Sequence, residues 1–256
     1  MPPAESERWR VRPGSSLDLA AIDTRAPTGA PGDKQATVAA SALLTIRLAE
    51  LQERLWAEDR RSVLLILQAL DAGGKDGTVK HVFRGLNPAG VHVTSFKAPS
   101  EDELSHDFLW RVHNRVPARG DIGVFNRSHY EDVLIARVDS LVPEDDWRGR
   151  YGEITAFESE LADRGEVWKY HPGDLDSRSK WRDYRRAYTD ALRATDTDVA
   201  TDTDVARWHV VPSDCKWYRN WAIASILTET LIALDPQFPP PTVDVERARI
   251  HASVIA

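Results

Sequence analysis

The stretch SVLLILQALDAGGKDGT, residues 62–78, decides the fold. Its first six residues form a short, continuously apolar run that contains branched side chains, which is typical of a strand buried on both faces of a parallel sheet. The glycine-rich segment that follows leads into a helical pattern over residues 78–86. The sequence therefore predicts a strand, a glycine-rich loop and a helix in direct succession.

Phosphate binding explains the composition of this loop. Glycines let backbone N–H groups converge on anionic oxygens, and the N-terminus of the next helix adds the positive end of its dipole. Lys75 supplies a mobile ammonium group, and Asp71 is the natural carboxylate on the magnesium side. The pattern departs from the standard phosphate loop, with Ala69 in place of the first glycine and Asp76 in place of the metal-binding Ser or Thr. We assign phosphate or nucleotide binding to Ala72, Gly73, Gly74, Asp76, Gly77 and Thr78. A glycine-rich turn without a ligand is the alternative.

The alternation of strands and helices continues along the chain and predicts a parallel α/β sheet. Further strands are predicted at residues 91–96, 122–125 and 208–211. Helices are predicted at residues 35–56, 101–116, 151–164, 178–194 and 217–233, with one more that begins near Ser128.

Polar side chains follow two of these strands. In a parallel sheet the ligand crevice lies beyond the carboxyl ends of the strands. Lys97 follows the strand at 91–96, and Asn126, Arg127 and Glu131 follow the strand at 122–125, so all four are expected beside the phosphate loop. Arg127 is suited to bidentate phosphate contact, while Glu131 can orient a phosphate oxygen or a hydrated metal. Surface ion pairs are the alternative for each of these charges taken alone.

Other charged side chains in this region give weaker signals. Arg111, Arg115 and Arg119 are candidates for anion contact. The five histidines between His81 and His129 match no zinc-binding spacing, so we interpret them as polar packing residues or phosphate-side donors. The hexapeptide TDTDVA occurs twice over residues 195–206 and lacks the glycine and distal glutamate of a calcium loop, which favours a surface duplication over a metal site.

Length and composition limit the remaining possibilities. The chain has 256 residues. Its single cysteine excludes a disulfide framework. Its net charge of −7 disfavours a nucleic-acid or membrane partner. The absence of a signal peptide or a long apolar run predicts a cytoplasmic protein. We predict one domain over residues 35–236, a partly disordered tail over residues 1–34 that covers rather than builds the core, and a second tail over residues 237–256.

Taken together, the motifs resemble the polyphosphate kinase 2 family, the polyphosphate:nucleotide phosphotransferases. The stretches that carry the resemblance are LQALDAGGKDGTVKHVF (67–83), VTSFKAPSEDELSHDFLWR (93–111), IGVFNRSHYEDVL (122–134), HPGDL (171–175), KWRDYRRAYTDAL (180–192) and DCKWYRNWAIASIL (214–227). They stand in the family's order, and the resemblance covers roughly residues 35–235. The form FNRSHYED, with Asn126 where other branches carry Asp, resembles the branch that phosphorylates AMP and often ADP.

The resemblance implies a P-loop kinase fold similar to thymidylate kinase, a three-layer α/β sandwich around a parallel sheet. It implies Mg²⁺ as cofactor, inorganic polyphosphate and adenine or guanine nucleotides as partners, and a homo-oligomer, either dimer or tetramer. Among the residues, it makes Asp71 and Lys75 the catalytic carboxylate and lysine of the loop, Arg127 a catalytic arginine, and Glu131 a catalytic residue near the acceptor phosphate. The other matching residues expected to contact phosphate are Lys97 and Arg137.

One region departs from the family pattern. The family continues after the helix at 151–164 with a strand and an arginine-containing lid, but here Gly165 is followed almost at once by EVWKYHPGDL. A strand and a helix of average length need about 17 residues. We therefore expect that one strand and the lid are lacking, which leaves an alternative function: a catalytically impaired chain that only binds nucleotide or polyphosphate. A kinase of small metabolites is a third, weaker hypothesis.

Overall fold

A single parallel sheet organises the chain. The computed structural model describes residues 5–12, 17–70, 73–162, 166–173, 180–195 and 207–240. The strands are β1 (Val63–Leu67), β2 (Val91–Ser95), β3 (Ile122–Asn126), β4 (Glu166–Gly173) and β5 (Arg207–Pro212). They lie in the order β2-β3-β1-β4-β5, and each neighbouring pair is parallel. The predicted α/β class with a parallel sheet is confirmed.

Helices connect the strands and cover both faces of the sheet. They are α1 (Lys34–Glu58), α2 (Lys75–Val82), α3 (Glu101–Leu104), α4 (Trp110–His113), α5 (Glu131–Val138), α6 (Glu144–Ala162), α7 (Trp181–Thr195) and α8 (Lys216–Leu234). Short 3₁₀ turns lie at Glu5–Arg8, Leu19–Ala21 and Pro88–Gly90. Within the described ranges, no helix is both long and apolar enough to cross a membrane.

Strand β1 shows why two faces need covering. Its five residues are all buried, and successive side chains of a strand point to opposite faces. Val63, Leu65 and Leu67 pack in a cluster with residues of α1, α2 and α8. Leu64 and Ile66 pack in a second cluster with residues of α5, α6 and α7. The sheet is thus the middle of three layers.

The expectation of a missing strand is wrong. Residues 166–173 form β4, whose backbone pairs with β1 on one side and with β5 on the other, with Leu67 opposite Tyr170 and His209 opposite Tyr170. The strand was expected to be missing because HPG was treated as the start of a separate family motif, which left only residues 166–170 before it. In the fold, these three residues continue the strand and supply its pairing with β5.

The predicted helix over residues 101–116 is divided into α3 and α4. Local side-chain hydrogen bonds compete with a continuous helix at the break. The Ser105 hydroxyl donates to the Asp102 carbonyl at 2.7 Å, and the Asp107 carboxylate accepts from the backbone N–H of Leu109 at 2.9 Å. A capping box formed by Ser100 and Glu103 begins α3.

The N-terminal segment contributes to the core, contrary to the sequence expectation. Trp9 and Val11 are each 5% exposed. The backbone pairs with β5, because the N–H of Val11 donates to the carbonyl of Trp208 and the N–H of Val210 donates to the carbonyl of Trp9. The indole N–H of Trp9 also donates to the hydroxyl of Tyr218 at 2.9 Å. The domain boundaries after residues 34 and 236 stay a prediction, and the duplicated hexapeptide lies almost wholly outside the described residues.

Candidate functional site

A cleft of about 560 Å³ opens at the carboxyl ends of β1, β2 and β3. The three loops that follow these strands line it, as the sequence analysis predicted. The lining residues are Gly73, Gly74, Lys75, Asp76, Ser95, Phe96, Lys97, Ala98, Asn126 and Arg127. The structure therefore brings together seven of the predicted site residues in one concave surface.

The loop after β1 turns sharply into α2. Gly74 is the N-cap of the helix and has φ +77°, a left-handed conformation that glycine adopts without strain. The ammonium group of Lys75 donates to the carbonyl oxygens of Ala69 at 2.9 Å and Leu70 at 3.0 Å. It thus holds the start of the loop while its own side chain is largely buried. Asp71, predicted as catalytic and metal-binding, and Ala72 lie outside the described residues.

Gly77 and Thr78 belong to the first turns of α2 and do not line the cleft. Thr78 is fully buried, and among the described residues its hydroxyl has no hydrogen-bond partner. Their predicted contact with phosphate stays a prediction.

The first turn of α2 and the end of β3 are joined where they line the cleft. The amide Nδ2 of Asn126 donates to Oδ1 of Asp76 at 2.6 Å. This bond leaves the amide oxygen of Asn126 and the second carboxylate oxygen of Asp76 as donors of the kind that Mg²⁺ takes. Within the described part of the chain, no three acidic, histidine or cysteine side chains converge as a complete metal site. The donor chemistry fits magnesium, with Asp71 as a further candidate ligand.

Arg127 has a strained backbone at the mouth of the cleft. Its φ is +63°, and its N–H donates to the carbonyl of Leu67 at 3.0 Å, which joins it to the end of β1. A non-glycine residue in this region costs free energy, and such strain concentrates at functional sites. The guanidinium lies 3.8 Å from the carboxylate of Glu131, the first residue of α5. The pair leaves Arg127 partly exposed toward the cleft.

Hydrogen bonds position Glu131, and they come from residues that were not predicted from the sequence. The amide of Gln68 donates to Oε1 of Glu131, and the hydroxyl of Ser128 donates to Oε1 of Gln68 at 3.2 Å. Burial and the nearby Glu131 carboxylate raise the pKa of Tyr188 well above its ordinary value, so this phenol stays protonated. Gln68 directly follows β1, so the strand pattern could have predicted its place at the site. Tyr188 could not be found in this way, because it reaches the site from the distant α7.

The loop after β2 is fixed by Arg111, a residue predicted as an anion contact. Its Nη1 donates to the carbonyl of Lys97 at 2.9 Å, and its guanidinium lies over the ring of Phe96 at 5.3 Å. Arg111 therefore supports the loop from behind, while the Lys97 side chain is exposed at the cleft. The other two candidates of that group, Arg115 and Arg119, are exposed and do not line the cleft.

The structure places Arg137 away from this cleft. Its Nη2 donates to the carboxylate of Asp190 at 2.8 Å, and its guanidinium lies 4.5 Å from the ring centroid of Trp147. It lines a separate cleft of about 610 Å³ formed by residues at the start of α6. Its predicted contact with phosphate stays a prediction.

Comparison with known proteins decides the family. The family model described as polyphosphate kinase 2 (PPK2) matches residues 32–167 and 165–239. The chain belongs to the polyphosphate kinase 2 family. The two matches meet at the start of β4, where the sequence analysis finds the chain short of the family pattern.

Individual relatives agree with this assignment. An AMP/ADP-polyphosphate phosphotransferase of Meiothermus ruber is 42% identical over 272 positions, covering 96% of this chain and 100% of the relative. An ADP-polyphosphate phosphotransferase of Rhodopseudomonas palustris is 37% identical and covers 77% of this chain and 79% of the relative. The first alignment is longer than the 256 residues of this chain, so the Meiothermus protein has residues that this chain lacks.

A solved structure confirms the fold class. The crystal structure of polyphosphate kinase 2 from Arthrobacter aurescens TC1 superposes with a TM-score of 0.90 at 38% identity, covering 98% of this chain and 97% of the other. Because the relatives are named as phosphotransferases, the alternative of an impaired, binding-only chain is not favoured.

Proposed function

We propose that the protein transfers a phosphoryl group between inorganic polyphosphate and a nucleoside mono- or diphosphate, with AMP, ADP and GDP as acceptors. The observation that carries the proposal is the convergence of Lys75, Lys97 and Arg127, from the segments that follow β1, β2 and β3, on one cleft. Relatives named for AMP, ADP and GDP as acceptors support it.

The transfer needs positioning and charge neutralisation more than covalent chemistry. A terminal phosphate oxygen of the nucleotide attacks the end phosphorus of the polyphosphate chain and forms a new P–O bond. The bridging P–O bond of that phosphorus breaks, and its electron pair leaves with the shortened chain. Lys75, Lys97 and Arg127 are suited to neutralise the charge on the transferring group and on the leaving oxygen.

The ion pair between Arg127 and Glu131 suggests how the site is kept ready before substrate arrives. Glu131 is held by Gln68, so it can hold the guanidinium of Arg127 at the mouth of the cleft. Lys75 has a different starting position, because its ammonium group lies on the carbonyls of Ala69 and Leu70. When phosphate binds, the ammonium group of Lys75 would break at least one of these hydrogen bonds and donate to the substrate instead.

Magnesium is part of the proposal. Bound Mg²⁺ would neutralise and orient phosphate oxygens, with Asp76, Asn126 and Asp71 as the residues that hold it. A homo-oligomeric state, dimer or tetramer, and a cytoplasmic location also stay predictions.

The test is formation of ADP or ATP from polyphosphate by the purified protein in the presence of Mg²⁺, measured by chromatography with AMP, ADP and GDP supplied separately. The matched control is Lys75→Ala. Turnover that exceeds the control by two orders of magnitude or more is expected. No difference between the two proteins for any acceptor would refute the proposal. Calorimetric binding of nucleotide without turnover would support the binding-only alternative.

A further inference from the structure

Arg219 of α8 lies directly against the phosphate loop. A Cβ atom built on Gly74 would fall 1.7 Å from its Nη1 and 2.8 Å from its Cζ. A Cβ on Gly77, one turn along α2, would fall 3.1 Å from its Nη2. The guanidinium therefore fills the space that two side chains would occupy in other sequences, and glycine at position 74 is required for this reason as well as for its φ of +77°.

This arginine is charged and buried. Arg219 is 3% exposed, and the guanidinium group stays protonated at any ordinary pH. Burial of a charge is costly unless other groups compensate it. Oδ1 of Asn220 accepts from Nε at 3.3 Å and from Nη2 at 3.1 Å, which orients the plane of the guanidinium. Nη1 is the atom that lies closest to the loop.

The positive charge of Arg219 lies beside the N-terminus of α2. The N-terminus of α2 carries the positive end of the helix dipole. Lys75 is the first residue of this helix. Arg219 adds a positive charge to this end from outside the loop, on a helix that packs against α1. Unlike Lys75 and Arg127, it comes from a helix distant in sequence, which packs against α1 and α2.

We propose that Arg219 is a positioning residue of the phosphate site, which keeps the Gly74 turn in its anion-binding form and strengthens binding of the terminal phosphates of a polyphosphate or nucleotide. The inference rests on the proposed function for its ligand. It predicts that replacement of the guanidinium weakens the affinity for phosphate chains while the fold persists.

The experiment measures binding rather than turnover, with inorganic tripolyphosphate as the probe in calorimetry. Arg219→Met removes the charge, Arg219→Lys keeps the charge without the planar fork, and Arg61→Lys is the matched control. Arg61 donates to the carbonyl of Leu234 at the other end of α8, far from the loop. We expect the dissociation constant to rise about 10- to 100-fold for Arg219→Met, less for Arg219→Lys, and by less than twofold for Arg61→Lys.

A second arm separates positioning from simple packing. In Arg219→Ala, added methylguanidinium is expected to restore tripolyphosphate affinity, because it returns the missing group without the side chain. Gly77→Ala pushes on Nη2 and is expected to weaken binding about fivefold in the wild-type background but not in Arg219→Lys, since the two changes act on the same contact. This pair of variants also serves if Arg219→Met does not fold.

The outcomes are distinguishable. Equal tripolyphosphate affinity of wild type, Arg219→Met and Arg219→Lys overturns this inference alone and leaves the proposed function standing. Absence of binding by the wild-type protein overturns both. Loss of affinity in Arg219→Ala that methylguanidinium does not restore assigns the residue to packing and overturns the inference.

Discussion

Nζ of Lys169 lies 3.0 Å from Oε2 of Glu158, and both side chains are sealed from solvent. The lysine comes from β4 and the glutamate from α6, so the pair joins the sheet to a covering helix. Lys169 also donates to the carbonyl of Thr195 at 2.7 Å. Although burial raises the pKa of Glu158, attraction to Lys169 and hydrogen bonding to His129 outweigh this effect and lower the pKa below its ordinary value.

The pair predicts a large effect of Lys169→Met on stability. Removing one partner leaves the Glu158 carboxylate buried without its main counter-charge, which costs about 3–5 kcal/mol. The double variant Lys169→Met with Glu158→Gln is expected to recover part of this loss. Urea denaturation of the two single variants and the double variant checks it. A loss below about 1 kcal/mol for Lys169→Met would contradict the prediction.

His209 predicts a loss of stability in mild acid. Burial lowers its pKa from 6.5 to about 3, so the folded protein keeps it neutral while the unfolded chain takes up a proton. The unfolded state therefore binds more protons between pH 6.5 and pH 3, and stability falls as the pH drops through this window. From pH 7 to pH 5 the loss from this group is about 2 kcal/mol.

The control for this effect is His209→Gln, which cannot titrate. Its unfolding free energy is expected to fall less steeply than that of the wild type over the same pH range, whatever its value at pH 7. Parallel curves for the two proteins would show that His209 is not the source of the acid sensitivity.

Trp9 predicts that the N-terminal segment is necessary for full stability. Its ring packs edge-on against Tyr218 and Trp221, with centroids 6.2 Å and 5.5 Å away. Trp9→Ala is expected to cost about 3–5 kcal/mol, as for other buried aromatic residues. Trp56→Ala is the comparison, because Trp56 is 49% exposed and should cost about 1 kcal/mol or less. Equal melting temperatures for the two variants would argue against this role of Trp9.

We predict that the variants Arg127→Gly and Arg127→Ala differ in stability. Both variants lose the guanidinium and are expected to lose most phosphotransferase activity. Because φ is +63°, Arg127→Gly relieves backbone strain that Arg127→Ala keeps, so the glycine variant should be more stable by about 1 kcal/mol. Thermal unfolding of both variants measures the difference. An alanine variant as stable as the glycine variant would indicate that the backbone relaxes.

The sequence predicted the site where local pattern and sheet geometry were sufficient. Lys75, Lys97 and Arg127 each follow a predicted strand, and parallel strands bring their carboxyl ends together, so their convergence followed from the order of elements. Arg219 and Tyr188 could not be found this way, because they reach the site from α8 and α7 through packing across the sheet.

The errors in the fold have a similar origin. Trp9 lies in a segment without apolar periodicity, and its burial depends on pairing with β5, which local sequence does not encode. In β4, Lys169 is a charged residue buried in an inner strand, which is tolerated only with partners from other elements. Those partners, Glu158 and Thr195, are apparent only in the folded chain.

The place of β4 in the sheet also sets an order for refolding. Among the five described strands, β4 is the parallel partner of β5, so we expect β5 to join the parallel sheet after β4 has docked on β1. Long-range parallel pairing is slow, which makes this step a candidate for the rate limit. The link between α6 and α7 includes eight extended residues, which give β5 a parallel partner and place a lysine opposite Ile66.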